Sequence, residues 1–209
     1  MNKLLFVTVV AAFGLMVNAQ MVPQCTCSAV QPCKSSYVDS ILPCADSCQQ
    51  HAAAIGANYQ KLRSCLLQKE GAIRSTLQCT EGKLANSCAA GPGKMVQKRY
   101  PETLKIAAMS EINRMLSRSG VSGQVQSLLA HGKKFVSCMR SCMDRKSGNC
   151  AKKLGCGLDL PSDTVMVQNA KSCAIASGFN TPGVQQLCQC AASAGIAQLA
   201  SICPRLQVS

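Results

Sequence analysis

The residues best suited to chemistry in this chain are its sixteen cysteines. Two pairs are spaced C-x-C, Cys25 and Cys27 in "CTC" and Cys188 and Cys190 in "CQC". Thiols this close can ligate a soft metal, cycle between dithiol and disulfide, or serve as halves of separate bridges. The first two chemistries usually employ C-x-x-C, the spacing of thioredoxin-like motifs and zinc ribbons, and that spacing occurs nowhere here. Neither of the two histidines, His51 and His131, neighbours a cysteine cluster. An even count in an oxidising compartment suits complete pairing. The reading is therefore about eight disulfides drawn from Cys25, Cys27, Cys33, Cys44, Cys48, Cys65, Cys79, Cys88, Cys138, Cys142, Cys150, Cys156, Cys173, Cys188, Cys190 and Cys203. Sixteen cysteines allow about two million pairings, so the sequence leaves the connectivity open.

Other catalytic signatures are missing. The chain has no H-E-x-x-H and no G-x-S-x-G. "GPGK" (Gly91 to Lys94) lacks the spacing and the following Ser or Thr of a phosphate loop and reads as a turn. The nine acids are scattered, without a pair placed for glycoside hydrolysis. His51 and His131 read as surface or capping residues, since a catalytic histidine needs named partners. The expectation is a non-enzymatic protein with no catalytic residue, no metal site and no cofactor.

The compartment is read from the first residues. Lys3 precedes the apolar run "LLFVTVVAAFGLMV", and "VNA" ends at Ala19 with small residues where a signal peptidase reads. The run is fourteen residues long, against the roughly 20 that a spanning helix needs. Residues 1–19 are thus expected to be a secretory signal peptide, and 20–209 a secreted, extracellular domain without a transmembrane segment. Trp is absent, and Phe plus Tyr number seven. A core of Leu, Ile, Val, Met and Ala is expected, with bridges carrying much of the stability.

Charge is concentrated in the middle. From Lys61 to Lys153 there are eighteen basic and five acidic residues, a net of +13, while the rest of 20–209 nets −1. Candidate contacts for a polyanion are Lys94, Lys98, Arg99, Lys105, Lys133, Lys134, Arg145, Lys146, Lys152 and Lys153. Acidic glycans and other anionic surfaces are the expected partners. Nucleic acid fits poorly, because aromatic stacking groups are scarce. Two other roles compete: a lipid or small-hydrophobe carrier with a Met- and Leu-rich lining, and a basic membrane-active or host-interaction protein.

The elements that must position these residues are helical. "PETLKIAAMSEINRMLSR" opens with Pro101, carries apolar residues at three and four, and stops at Gly120. Further helices are predicted over about 122–144, from the Pro161–Ser162–Asp163 start to Gly178, and from Thr181 as cap through Cys203. Residues 35–48 and 52–68 read the same way. The fold class is all-α, a disulfide-stapled helical domain with little or no strand. Eight cysteines fall in 25–88 and eight in 138–203, around a cysteine-free basic middle. Each group can pair internally as one of two stapled halves. One compact domain with bridges between the groups is the alternative. On a helix, Cys44/Cys48 and Cys138/Cys142 each share one face, whereas C-x-C turns its two thiols about 200° apart. Ser-Gly, at Ser119, Ser122, Ser147 and Ser177, is an attachment signal for glycosaminoglycan or an ordinary turn and cap pair. None of these sites has acidic neighbours, so the turn-and-cap reading is preferred.

The helical C-x-x-x-C pairs and the closing "CQCAASAGIAQLASICPRLQV" resemble nematode secreted cysteine-rich proteins, most nearly those with a chondroitin proteoglycan 4-type domain. The resemblance extends over most of 20–209. It implies an extracellular, all-helical domain without catalysis, of a type in which some members carry chondroitin chains. This sequence departs from such members: it has no acidic Ser-rich attachment region and is strongly basic. The domain type is what the resemblance supports; the glycan attachment is not.

Overall fold

A computed structural model describes residues 20–208, so the expected signal peptide lies outside the described residues. Among the described residues the chain forms nine helices: α1 (Cys27–Ser47), α2 (Gln50–Ala53), α3 (Tyr59–Leu67), α4 (Glu70–Lys83), α5 (Pro101–Arg118), α6 (Gln126–Lys146), α7 (Cys150–Lys153), α8 (Asp163–Ala176) and α9 (Thr181–Ser193). Two three-residue strands, β1 (Met21–Pro23) and β2 (Met95–Gln97), pair antiparallel with Val22 opposite Val96. The fold is a disulfide-stapled, mostly helical domain. No described helix is long and apolar enough to cross a membrane.

All sixteen cysteines are paired. Six bridges run from the first cysteine group to the second: Cys25–Cys156, Cys33–Cys150, Cys44–Cys142, Cys48–Cys138, Cys65–Cys190 and Cys79–Cys173. Only Cys27–Cys88 and Cys188–Cys203 close within a group. The inter-group bridges form two antiparallel ladders. In the first, partners converge as the chain advances (25 with 156, 33 with 150, 44 with 142, 48 with 138), so α1 lies antiparallel to α6 and α7. The second joins α3 to α9 and α4 to α8. The two C-x-x-x-C faces are bolted to each other, Cys44 to Cys142 and Cys48 to Cys138, as one turn of each helix dictates. On α9, Cys190 reaches α3 while Cys188 turns back to Cys203, the divergence that two helical residues about 200° apart must show.

These bolts also set what the core contains. Nine of the nineteen buried apolar residues are cysteines, and none is Leu or Met. The bridges hold opposing Cα atoms 5.0–6.0 Å apart. Backbones so close leave room for Ala, Val and cystine, and larger side chains move to the margins. Of the expected Leu, Ile, Val, Met and Ala, the fully buried positions use Ala, Val and Ile, in two small clusters with Leu side chains partly buried against them. Ala52, Ala57, Tyr59 and Ile196 form one, and Val121, Val125 and Ile202 the other.

Several helix boundaries differ from the sequence reading: α6 begins at Gln126 and not near 122, and α4 is not among the predicted helices. α1 begins at Cys27 and runs through Pro32 and Pro43, although an interior proline costs a helix about 3 kcal/mol. Cys33 and Cys44, each next to a proline, are bridged to α7 and α6, and these tertiary ties outweigh the local cost. The predicted 52–68 helix breaks into α2 and α3 at Gly56, which has a left-handed φ of 80°. α9 is capped by Asn180, whose side chain accepts from the Gly183 amide, and Thr181 is its first residue. It ends at Ser193, and two 3₁₀ turns (Ala197–Leu199, Cys203–Arg205) complete the chain. The turn from α9 into the first of these needs Gly195: φ is 116°, and a Cβ there would sit 2.3 Å from the Gly56 carbonyl oxygen. Gly195→Ala should therefore cost about 2–3 kcal/mol through strain and backbone displacement, read as a lowered urea midpoint in non-reducing buffer.

Helix α5 has no cysteine and depends on polar ties instead. Glu111, only 7% exposed, accepts from Lys171 Nζ at 2.8 Å and Gln168 Nε2 at 3.2 Å, both on α8, and pairs with Arg114. At the same end as Pro101, Arg99 pairs with Asp163 at 2.8 Å and donates to the Pro161 carbonyl. Glu111→Ala should destabilise the protein by about 2–3 kcal/mol, since it strips a buried charge network of its acceptor. Hydrogen exchange should show α5 losing protection before the bridged helices do.

Candidate polyanion-binding face

The nine acids decide which cations are left over. Lys34 takes Glu81, Arg63 takes Asp46, Arg74 takes Glu70, and Arg140 takes Glu102. Of the ten candidate residues, Lys94 is paired with Asp159 at 2.7 Å, Arg99 with Asp163, and Lys152 with Asp144 at 3.5 Å. Lys98 donates to the Gln20 side chain and lies 5.6 Å from the Tyr100 ring centroid. Lys105 is exposed on α5, one turn from Glu102. The remaining five, Lys133, Lys134, Arg145, Lys146 and Lys153, are exposed on α6 and α7 and make no ion pair among the described residues. The sequence places ten cations in one basic middle; in the structure Lys94 and Arg99 are paired beside β2 and the start of α8, and Lys152 is paired on α7. Among the described residues Lys98 and Lys105 lie near the start of α5 without an ion pair, and the other five are unpaired on α6–α7.

Helical geometry arranges the unpaired set. Lys133, Ser137, Ser141 and Arg145 follow at steps of four, and Lys134 lies beside them at eleven residues from Arg145. All five side chains are exposed. They make a strip with two cations at one end, one at the other, and two hydroxyls between, spanning about 18 Å at 1.5 Å per residue. The adjoining face, with Cys138 four residues after Lys134 and Cys142 three before Arg145, is bolted to α1. Asp144 is the acid nearest the strip in sequence. Its charge is engaged by Tyr37, whose hydroxyl donates at 2.5 Å, and by Lys152. The hydrogen bond from Tyr37 holds the Asp144 carboxyl below its usual range. Ser137 and Ser141 are the residues the charge count alone misses; their step of four from Lys133 is the signal that finds them.

Further carboxylates are tied in the same way. Asp46 accepts from Tyr59 at 2.8 Å and from Arg63 at 2.9 Å, chiefly the former lowering its pKa. Burial, then the bond to Asp46, pushes the Tyr59 phenol up to about 12. Glu111 is lowered mainly by Lys171, and Glu102 mainly by Arg140. A carboxyl whose folded pKa is depressed adds stability above its unfolded value, and that stability is lost as pH falls through the folded value. The ordinary values here are 3.8 for Asp and 4.5 for Glu. The thermal midpoint should therefore hold steady from about pH 7 to about pH 5 and drop below about pH 4.

The other candidates fall into place as structure. Ser119, Ser147 and Ser177 are the C-caps of α5, α6 and α8, and the glycine after each takes a positive φ that ends the helix. Ser119 is buried, donates to the Met115 carbonyl and accepts from the Gln207 amide. Ser122 shares a hydrogen bond with Ser117. His51 lies in α2, and His131 on α6, two residues before Lys133. Gly91–Lys94 forms a bend leading into β2. Among the described residues no group of three His, Cys, Asp or Glu side chains is placed to hold a metal ion.

Fold and face together define a class: a helical domain held by two disulfide ladders, with an unpaired cationic strip on the outer side of one rung helix. Comparison with family models, curated proteins and solved structures returns no match in any of the three.

Proposed function

We propose that the protein is secreted and non-enzymatic, and that it contacts acidic glycans of an extracellular matrix or surface through the α6–α7 strip. One observation carries this reading. Eight of the nine acids form ion pairs, and the cations they leave include Lys133, Lys134, Arg145, Lys146 and Lys153, gathered on two consecutive helices. Full pairing of the cysteines supports an oxidising, extracellular setting. A rigid helix bolted on its inner face presents cations at fixed spacing, which lowers the ordering cost of binding a repeating polyanion. Exposed hydroxyls between the charges suit sulfate and carboxylate acceptors. The secreted cysteine-rich proteins that the sequence resembles offer a class for such a protein, as a glycan-contacting rather than glycan-bearing member.

The test is retention on immobilised chondroitin sulfate. The protein should bind at low ionic strength and elute with salt, since screening weakens contacts between exposed charges. Passage straight through the column at low salt would end this reading.

A further inference from the structure

A second surface is apolar and is lined by none of the residues of the cationic strip. Helices α4 and α5 both pack on α8, and between them α8 floors a trough of about 300 Å³. Leu84 stands on the α4 side, Leu104 and Ala108 on the α5 side, and Met166, Val167 and Ala170 along the floor. Such a volume equals about ten waters at roughly 30 Å³ each, enough for an alkyl chain of medium length and too little for a diacyl lipid.

Charge at one end of the trough selects the head group. Parallel helices α5 and α8 both begin there, as the Arg99–Asp163 and Glu111–Lys171 ties require, while α4 ends there at Leu84, so the helix ends partly offset one another and the side-chain cations set the sign. On α4, Lys83 lies three residues after the trough residue Thr80, and on α5 Lys105 lies three residues before Ala108, so each lysine shares a face with one lining residue. Neither lysine forms an ion pair among the described residues. The nearby acids are already committed, Glu81 to Lys34, Glu102 to Arg140 and Asp163 to Arg99. An apolar slot with spare cations at its positive end complements an amphipathic anion. The walls also differ in freedom: Cys79–Cys173 bolts α4 to α8, while α5 carries no cysteine and can yield to admit a chain.

We propose that this trough binds a medium-chain alkyl carboxylate, its tail along α8 and its head beside Lys83 and Lys105. Isothermal titration of the intact, oxidised protein with decanoate, and with decanol as the uncharged partner, tests it. Wild type should bind decanoate. Ala108→Trp and Asn169→Trp, which fill the trough from different helices, should each weaken decanoate at least tenfold while circular dichroism stays unchanged. The Lys83→Ala/Lys105→Ala variant should weaken decanoate about tenfold and leave decanol unaffected. Lys133→Glu/Lys134→Glu should leave both unaffected. No binding to wild type, or binding that survives both tryptophans in folded protein, overturns the proposal. So does a concentration-dependent dimer that Ala108→Trp dissolves, which would make the trough an interface between two copies of the chain.

Discussion

Deleting either central rung of the first ladder should leave the protein folded, and deleting both should not. Cys44–Cys142 and Cys48–Cys138 span 98 and 90 residues, so each taken alone closes a long loop. They are not alone. With one rung in place, the other closes only the four-residue steps between them on α1 and α6. On the chain-entropy account, a closed loop of about ten residues contributes about 2–3 kcal/mol. Once both are gone, the second removal releases a loop of several tens of residues, worth about 4 kcal/mol more. Single-rung variants (Cys44→Ala/Cys142→Ala or Cys48→Ala/Cys138→Ala) should therefore lose about 2–3 kcal/mol. The fourfold variant should lose about 7, more than the sum of the two and comparable to the whole stability of a small domain. Urea titration in non-reducing buffer reads all three. Equal and additive losses would show that the ladder does not act through shared loops.

The second large effect concerns the cationic strip. Lys133→Glu/Lys134→Glu should reduce affinity for a sulfated oligosaccharide at least tenfold at low salt. It should also flatten the dependence of affinity on ionic strength, because fewer screened contacts remain. Lys61→Glu/Lys69→Glu changes net charge by the same amount on α3 and the turn after it, away from the strip, and should reduce affinity only modestly. The contrast separates a located site from a general attraction between a +13 chain and any polyanion. If the two double variants weakened binding equally, total charge would explain the affinity and the strip would have no special role. Lys61, Lys133 and Lys134 are exposed, while Lys69 is half-buried and donates to Gln186 Oε1, so circular dichroism of each variant accompanies the comparison.

How much of this is legible in the sequence varies with the range of the interaction concerned. Pro101 with its periodic Leu104, Ala108 and Ile112 marks α5 to the residue, because a helix start and an apolar period are local signals. The Ser162 cap of α8 is local too, its side chain accepting from the Val165 amide. The predicted 35–48 helix starts eight residues late, since what carries α1 through Pro32 is the bridge from Cys33 to Cys150, far along the chain. The ladders are invisible for the same reason: parity says that sixteen thiols pair, and only the antiparallel packing of α1 on α6–α7 says which. The basic middle shows in composition, but its division into paired and free cations depends on contacts such as Lys94 with Asp159 and Arg99 with Asp163, more than sixty residues apart. The trough of α4, α5 and α8 joins three segments no sequence pattern connects.

The ten cations and the C-x-C pairs thus change meaning together. Cys188 and Cys190, the residues spaced most like a reactive pair, are structural and send α9 in two directions. The free charge lies on the outer face of the helix that the first ladder fixes.

The central claim is tested most directly by titrating isotopically labelled, oxidised protein with a sulfated chondroitin oligosaccharide and mapping amide shift changes by NMR. The account predicts saturable changes centred on Lys133, Lys134, Ser137, Ser141 and Arg145, extending to Lys146 and Lys153 and reversed by salt. Changes centred instead on the paired cations Lys94, Arg99 and Lys152, or no saturable change at low ionic strength, would contradict it.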